Sequence, residues 1–125
     1  MNYSKQIMLT GLTLVTFLAL DWLFHFQLLG SSYDTLSYLW RDMNEMYWLN
    51  WANYVVESYL YVCLFSMFKS DKLISLGIGV GLIVGLGMAS CYIYMPVTAY
   101  MAFIWFLAGL TRSVAVAVIL NTFSE

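Results

Sequence analysis

The sequence predicts an all-α membrane protein, a four-transmembrane-helix bundle with an interfacial amphipathic helix between spans 1 and 2. Three observations predict it. Hydrophobic residues make up 62% of the 125 residues and charged residues only 10%, whereas soluble domains are about 25% charged. Four segments are apolar over about 20 residues, the length a bilayer core requires of a helix. The breaks between them are polar, charged or proline-bearing. The length of 125 residues fits a single domain.

The first span is expected at about residues 6–29. Lys5 resembles the charged head of a secretory signal. However, the apolar run is too long, contains Asp21 and ends on no small-x-small cleavage site, so it reads as a retained helix. The stretch "GSSYDTLSYLWRDMNEMYWLN" follows. In it Leu36, Leu39, Trp40, Met43, Met46 and Tyr47 recur at three- and four-residue steps, with Asp34, Ser37, Arg41, Asp42, Asn44 and Glu45 between them. That pattern predicts an amphipathic helix lying in the interface, as an anchor for the second span or as a lid or docking surface for a partner. Trp40, Trp48 and Trp51 fit an aromatic belt.

The second span is expected at about residues 50–68, and "KSDK" at 69–72 is a charged turn. The third span follows at 73–95. Met95-Pro96 then marks a tight connection, with proline suited to the first turn of a fourth span at 97–120. Lys5, Lys69 and Lys72 fall on one side of this arrangement and Arg41 on the other. Basic residues concentrate on the cytoplasmic side, which places both termini in the cytoplasm.

Composition also excludes functions. The net charge of −2 leaves no basic surface for nucleic acid and no polybasic patch for anionic lipid. Cys63 and Cys91 form no CxxC or Cys/His cluster, so thiol-redox and zinc-ribbon chemistry are not indicated. Both read as small apolar fillers.

Helix packing has its own signature. Gly77, Gly81, Gly85 and Ala89 are spaced by four on the third span, with Ser75 and Gly79 on a neighbouring stripe. Gly109, Ser113 and Ala117 repeat the spacing on the fourth. Small residues in such a row let membrane helices approach closely. The two stripes are expected to meet within the hairpin, or alternatively to meet another chain.

Four ionisable residues lie inside the expected spans: Asp21, His25, Glu57 and Arg112. Such groups are costly in lipid and are functional candidates by default. Asp21 and His25 share a helix face at i,i+4, as do Asn53 and Glu57 at about the same depth. Side chains tilt toward the N-terminus of their helix, so Arg112 should reach back to Glu57 and form a buried ion pair. The simplest expectation is a paired structural core, with Asp21 bonded to His25, Asn53 or a tyrosine. The functional expectation is a proton or ion site built from Asp21, His25, Asn53 and Glu57. A metal held by His25 and carboxylates, or haem on His25, are further readings. A single imidazole supports neither strongly, and no metal or cofactor is expected. The other tyrosines read as interfacial anchors.

The order "ALDWLFHFQLLG", an aromatic loop with "LWRDMNEM", and a glycine-rich span ending near "YMPV" resembles small uncharacterised bacterial four-span membrane proteins. The resemblance implies a bacterial inner membrane and no transferable activity. By size and span number the chain is also similar to small multidrug-resistance transporters, whose essential acid lies in the first span, as Asp21 does. Their acid is a glutamate placed earlier in its helix, and their later motifs are missing here. Membrane glutathione-handling enzymes share the span number, but their arginine-rich site is absent.

No nucleophile with a nearby base and no cofactor fingerprint is visible, so an enzyme is not expected. The function expected is a non-catalytic accessory or assembly subunit of a membrane complex, or a homo-oligomer, with other membrane subunits or copies as partners. The competing expectation is a small proton-coupled transporter or ion pathway using Asp21, His25 and Glu57.

Overall fold

The computed structural model of the protein describes residues 2–40 and 46–123. Every regular element among the described residues is helical. Helix α1 spans Tyr3–Asp21 and opens on Asn2, whose side-chain oxygen accepts the Lys5 amide at 2.9 Å. That satisfies one of the amides a helix start leaves without a partner. The helix does not stop at Asp21. It continues as a π-helix over Trp22–Leu28, closing with the Leu29 amide on the Phe24 carbonyl.

The connection after it differs from the expected continuous amphipathic helix. Its described part is a short helix α2 (Gly30–Thr35), a 3-10 turn (Ser37–Leu39) and an extended Trp40. Leu36 and Trp40 pack on the protein core, so this part of the apolar stripe turns inward. Residues 41–45, which carry Arg41, Asp42, Met43, Asn44 and Glu45 of the expected helix, lie outside the described residues. Met46 caps the next helix and Tyr47 begins it.

Helix α3 (Tyr47–Ser66) runs antiparallel to α1, with Tyr54 opposite Asp21 and Gln6 opposite Cys63. A short turn leads to α4 (Ser70–Ala89), where Lys69 is extended and Asp71 sits in the first turn. A negative charge there suits the positive end of the helix dipole. The one-turn helix α5 (Cys91–Tyr94) follows, and Met95 is extended before Pro96, as the residue before proline prefers. Pro96 does not open the last helix. Thr98 does, its hydroxyl accepting the Met101 amide at 3.2 Å, and α6 spans Ala99–Phe123.

Among the described residues, three helical stretches are long and apolar enough to cross a membrane: Tyr3–Leu28, Ser70–Tyr94 and Ala99–Phe123. Helix α3 has a comparable length but carries Asn50, Asn53 and Glu57 among its tyrosines and tryptophans. α6 is the hub. α4 packs along one side of it, and α1 and α3 pack on it and on each other.

The α4–α6 contact explains the glycine stripe. A Cβ on Gly77 would sit 2.7 Å from the Ala117 Cβ, one on Gly81 2.9 Å from the Leu110 carbonyl oxygen, and one on Gly85 2.6 Å from the Phe106 carbonyl oxygen. Gly109 closes the contact from the other helix, its Cβ position 2.8 Å from the Gly85 Cα. Ser113 and Ala117 are buried on the same face. Ala89, at the end of the stripe, is only half-buried. Gly79 and Gly87 face open space.

Among the described residues, two apolar clusters fill the bundle. One contains Leu9, Phe17, Val62, Phe65, Val116 and Leu120. The other contains Phe24, Leu29, Met101, Ile104, Trp105 and Ala108. On α1 the step from Phe17 to Phe24 passes Asp21. On α6 the step from Ala108 to Val116 passes Arg112. A polar layer therefore lies between the two clusters.

Candidate functional site

Asp21 ends α1 in that layer and is 8% exposed. Its Oδ2 accepts a hydrogen bond from the Tyr54 hydroxyl of α3. Its Oδ1 lies 2.5 Å from Arg112 Nη2. The N–H directions do not align on Oδ1, which has no hydrogen bond, so this contact is charge against charge. Arg112 Nη1 donates to both Glu57 oxygens at 3.3 Å. One guanidinium thus stands between two carboxylates from two helices.

Aromatic faces complete the arginine's surroundings. The guanidinium carbon lies 5.0 Å from the Phe17 ring centre and 5.6 Å from that of Tyr54. Such positions attract a cation through the negative face of the ring. One turn deeper, the Tyr61 hydroxyl and Ser113 Oγ are 3.0 Å apart.

The π-helix shapes the other side of the layer. It widens the turn after Asp21, a feature common at functional sites. His25 keeps Nε2 at 4.0 Å from Asp21 Oδ1, while Nδ1 meets the Tyr33 hydroxyl of α2 at 2.6 Å. The Trp105 indole N–H donates to the same Tyr33 oxygen at 2.7 Å. An indole N–H can only donate. Tyr33 therefore receives from Trp105, and its oxygen also pairs with His25 Nδ1, in a direction set by the imidazole tautomer. When Tyr33 is the donor, the neutral imidazole carries its proton on Nε2, facing Asp21. Burial pushes the Tyr33 phenol up from its ordinary value, so Tyr33 remains neutral.

The site therefore joins Asp21, His25, Glu57 and Arg112, with Tyr54, Tyr33 and Trp105 added. It does not join Asn53. That residue is exposed and lines an open groove of about 390 Å³ with Met46, Leu49 and Asn50. The neighbouring position, Tyr54, takes the place expected for it. The i,i+4 pairing of Asn53 with Glu57 was the misleading signal. Glu57 approaches α6 from the side of its helix that Tyr54 shares at i,i+3. Tyr33 and Trp105 carried no sequence signal, because their contact depends on how the connection folds back over α6.

Comparison with known proteins adds nothing. No family model, curated protein or solved structure matches the chain.

Among the described residues, no group of three His, Cys, Asp or Glu side chains is gathered as a metal site would require. Arg112 between Asp21 and Glu57 also repels a cation from the position where the carboxylates converge. The arrangement pairs ionisable groups from α1, the π-helix, α3 and α6 in one layer.

Proposed function

We propose that the chain is a four-span integral membrane protein that serves as a non-catalytic accessory or assembly subunit of a membrane complex, or as a homo-oligomer. The observation that carries this reading is the outward face of α3. The helix is 20 residues long, about 30 Å, and lies antiparallel against the apolar α1. Its ends therefore reach the levels that the neighbouring helices reach. Yet its free face exposes Asn53, together with Trp51 and Tyr59 at 40% and 48%. Lipid offers an asparagine amide no hydrogen bond, whereas a facing helix does. A neighbouring protein chain on α3 is the arrangement this face suits.

Lys5, Lys69 and Lys72 at one end of the bundle favour cytoplasmic termini. The resemblance to bacterial four-span proteins favours an inner membrane. Native mass spectrometry of the protein extracted in mild detergent tests the reading. A complex heavier than one chain is expected, and Asn53→Ala should weaken it. A lone chain in every mild detergent overturns it.

A second reading is a proton-coupled transporter or ion pathway using Asp21, His25 and Glu57. The contacts running from Glu57 through Arg112, Asp21 and His25 to Tyr33 favour it. Its test is flux in proteoliposomes carrying a pH dye, which Asp21→Asn must abolish.

A further inference from the structure

Helix α3 has two unlike sides. Ser58, Val62 and Phe65 are buried, on the side where α3 packs on α1 and α6. The opposite side carries Leu49, Asn53, Val56, Leu60, Leu64 and Met67, all exposed. Their steps of three and four residues place them in one stripe, because a helix turns once in about 3.6 residues. All but Asn53 are apolar and suit lipid as well as protein. Among the described residues the Asn53 side-chain amide has no hydrogen-bond partner.

The groove beside Asn53 has the form of a helix-packing hole. Met46, Leu49, Asn50 and Asn53 line it, at positions i, i+3, i+4 and i+7. Four residues in that pattern make the hole that receives one side chain of a facing helix. In a heptad frame they are a, d, e and the next a, with Met46 and Asn53 at a and Leu49 at d. The frame continues through Val56 at d, then Leu60 and Met67 at a, along the exposed stripe. Cys63, the d position between them, is half-buried and meets Gln6. The seam is therefore centred on the Asn53 half of the helix.

Electrostatic complementarity selects the occupant. An amide carries N–H donors and a carbonyl acceptor in one group, so its complement is a second amide facing it in reverse. A single asparagine at an a position sets register in this way, by pairing with its own counterpart. Copies of one chain insert with the same orientation. Each Asn53 then finds its mate at its own depth, and a two-fold axis along the membrane normal brings the same patch of both copies together. Glu57 borders the stripe but turns to its own Arg112, so pairing brings no free carboxylates face to face.

We propose that the protein forms a two-fold dimer in which α3 packs in parallel on α3 of a second copy. Leu49 of each copy sits in the groove of the other, and the two Asn53 amides hydrogen-bond across the axis. The proposal rests on the reading that another protein chain covers α3, and it names that chain.

The test is cross-linking and energy transfer with the full-length protein in lipid vesicles. Cys63 and Cys91 are replaced by alanine, and circular dichroism confirms the helix content of each variant. Single cysteines at Val56→Cys and Leu60→Cys should be oxidised to a product with the mass of two chains. Ile83→Cys, on the exposed face of α4, should remain a single chain. Two positions on the seam keep the test open if one variant fails to fold. Energy transfer between donor- and acceptor-labelled copies, followed as lipid is added, gives the dimer dissociation constant. Asn53→Ala should raise it about 3- to 30-fold, the range for one interhelical hydrogen bond in a membrane. Cross-linking at Ile83→Cys as ready as at Leu60→Cys, or a dissociation constant unmoved by Asn53→Ala, overturns the proposal. A chain that stays single in vesicles but is joined through Leu60→Cys to a different protein in native membranes overturns the dimer and keeps the reading that a partner covers α3. A chain that stays single in both overturns the two together.

Discussion

Asp21 on α1 and Arg112 on α6 stand 2.5 Å apart, carboxylate oxygen to guanidinium nitrogen, where the two apolar clusters meet. Each side chain is 11% exposed. The contact fixes the level at which α1 meets the hub helix. Sliding either helix by one turn would put a charge into an apolar cluster.

Removing the arginine should therefore cost more than removing either acid. Arg112→Gln leaves two buried carboxylates facing each other, and breaking a buried pair typically costs about 3–5 kcal/mol. Asp21→Asn leaves the Glu57–Arg112 pair intact and should cost less. Thermal unfolding in detergent measures both. In double-mutant cycles the Asp21–Arg112 coupling should exceed the Glu57–Arg112 coupling, since the contacts are 2.5 and 3.3 Å. Additive effects for both pairs would remove the polar layer as an energetic unit.

The glycines of α4 give a paired comparison within one helix. Gly85→Ala places a methyl 2.6 Å from the Phe106 carbonyl oxygen, and Gly81→Ala places one 2.9 Å from that of Leu110. Backbone cannot rotate away as a side chain can, so α4 and α6 must separate. Gly79→Ala and Gly87→Ala meet nothing within 4 Å. These two should leave stability unchanged or raise it by up to about 1 kcal/mol, the usual gain of alanine over glycine in a helix. Equal effects at all four positions would mean that the α4–α6 contact is looser than the structure shows.

This comparison bears on what was legible in the sequence. The row Gly77, Gly81, Gly85 could be read because close packing leaves a period of four that composition alone reveals. Arg112 reaching toward Glu57 could be read from helix direction and side-chain tilt. The π-helix over Trp22–Leu28 could not, since its residues are as compatible with α-helix. Over residues 36–40 the amphipathic stripe was misleading for a physical reason. Leu36 and Trp40 are apolar because they pack on the core beside Tyr33 and Trp105, not because they face lipid. Periodicity records that a face is apolar and does not record what covers it.

Tyr54 and Asn53 separate the observed site from the expected one. Tyr54→Phe removes the hydroxyl that bonds Asp21, and a hydrogen bond to a charged group contributes about 1.5–3 kcal/mol. Thermal stability in detergent should fall by an amount in that range. Asn53→Ala, on the exposed face, should leave the stability of the isolated chain within about 0.5 kcal/mol of wild type. A larger loss at Asn53 than at Tyr54 would reverse the assignment of these neighbours.

The last prediction concerns the path of α3 through the membrane. Ser37 precedes α3 and Ser70 follows it, and both are exposed. If α3 crosses a bilayer alongside α1 and α6, the two serines lie on opposite sides. If α3 lies along the surface, they lie on the same side. With Cys63 and Cys91 replaced by alanine, single cysteines at Ser37 and Ser70 report the difference. A membrane-impermeant maleimide applied to intact cells should label Ser37→Cys and not Ser70→Cys, and should label both once the membrane is opened. Labelling of both from outside would mean that α3 does not cross. Labelling of Ser70→Cys alone would keep the span and invert the orientation drawn from Lys5, Lys69 and Lys72. The first pattern is expected. The 20 residues of α3 lie against α1, with Tyr54 reaching Asp21 and Cys63 meeting Gln6 at the other end. α1 is long and apolar enough to cross a membrane, and a helix docked against it at both ends would cross with it.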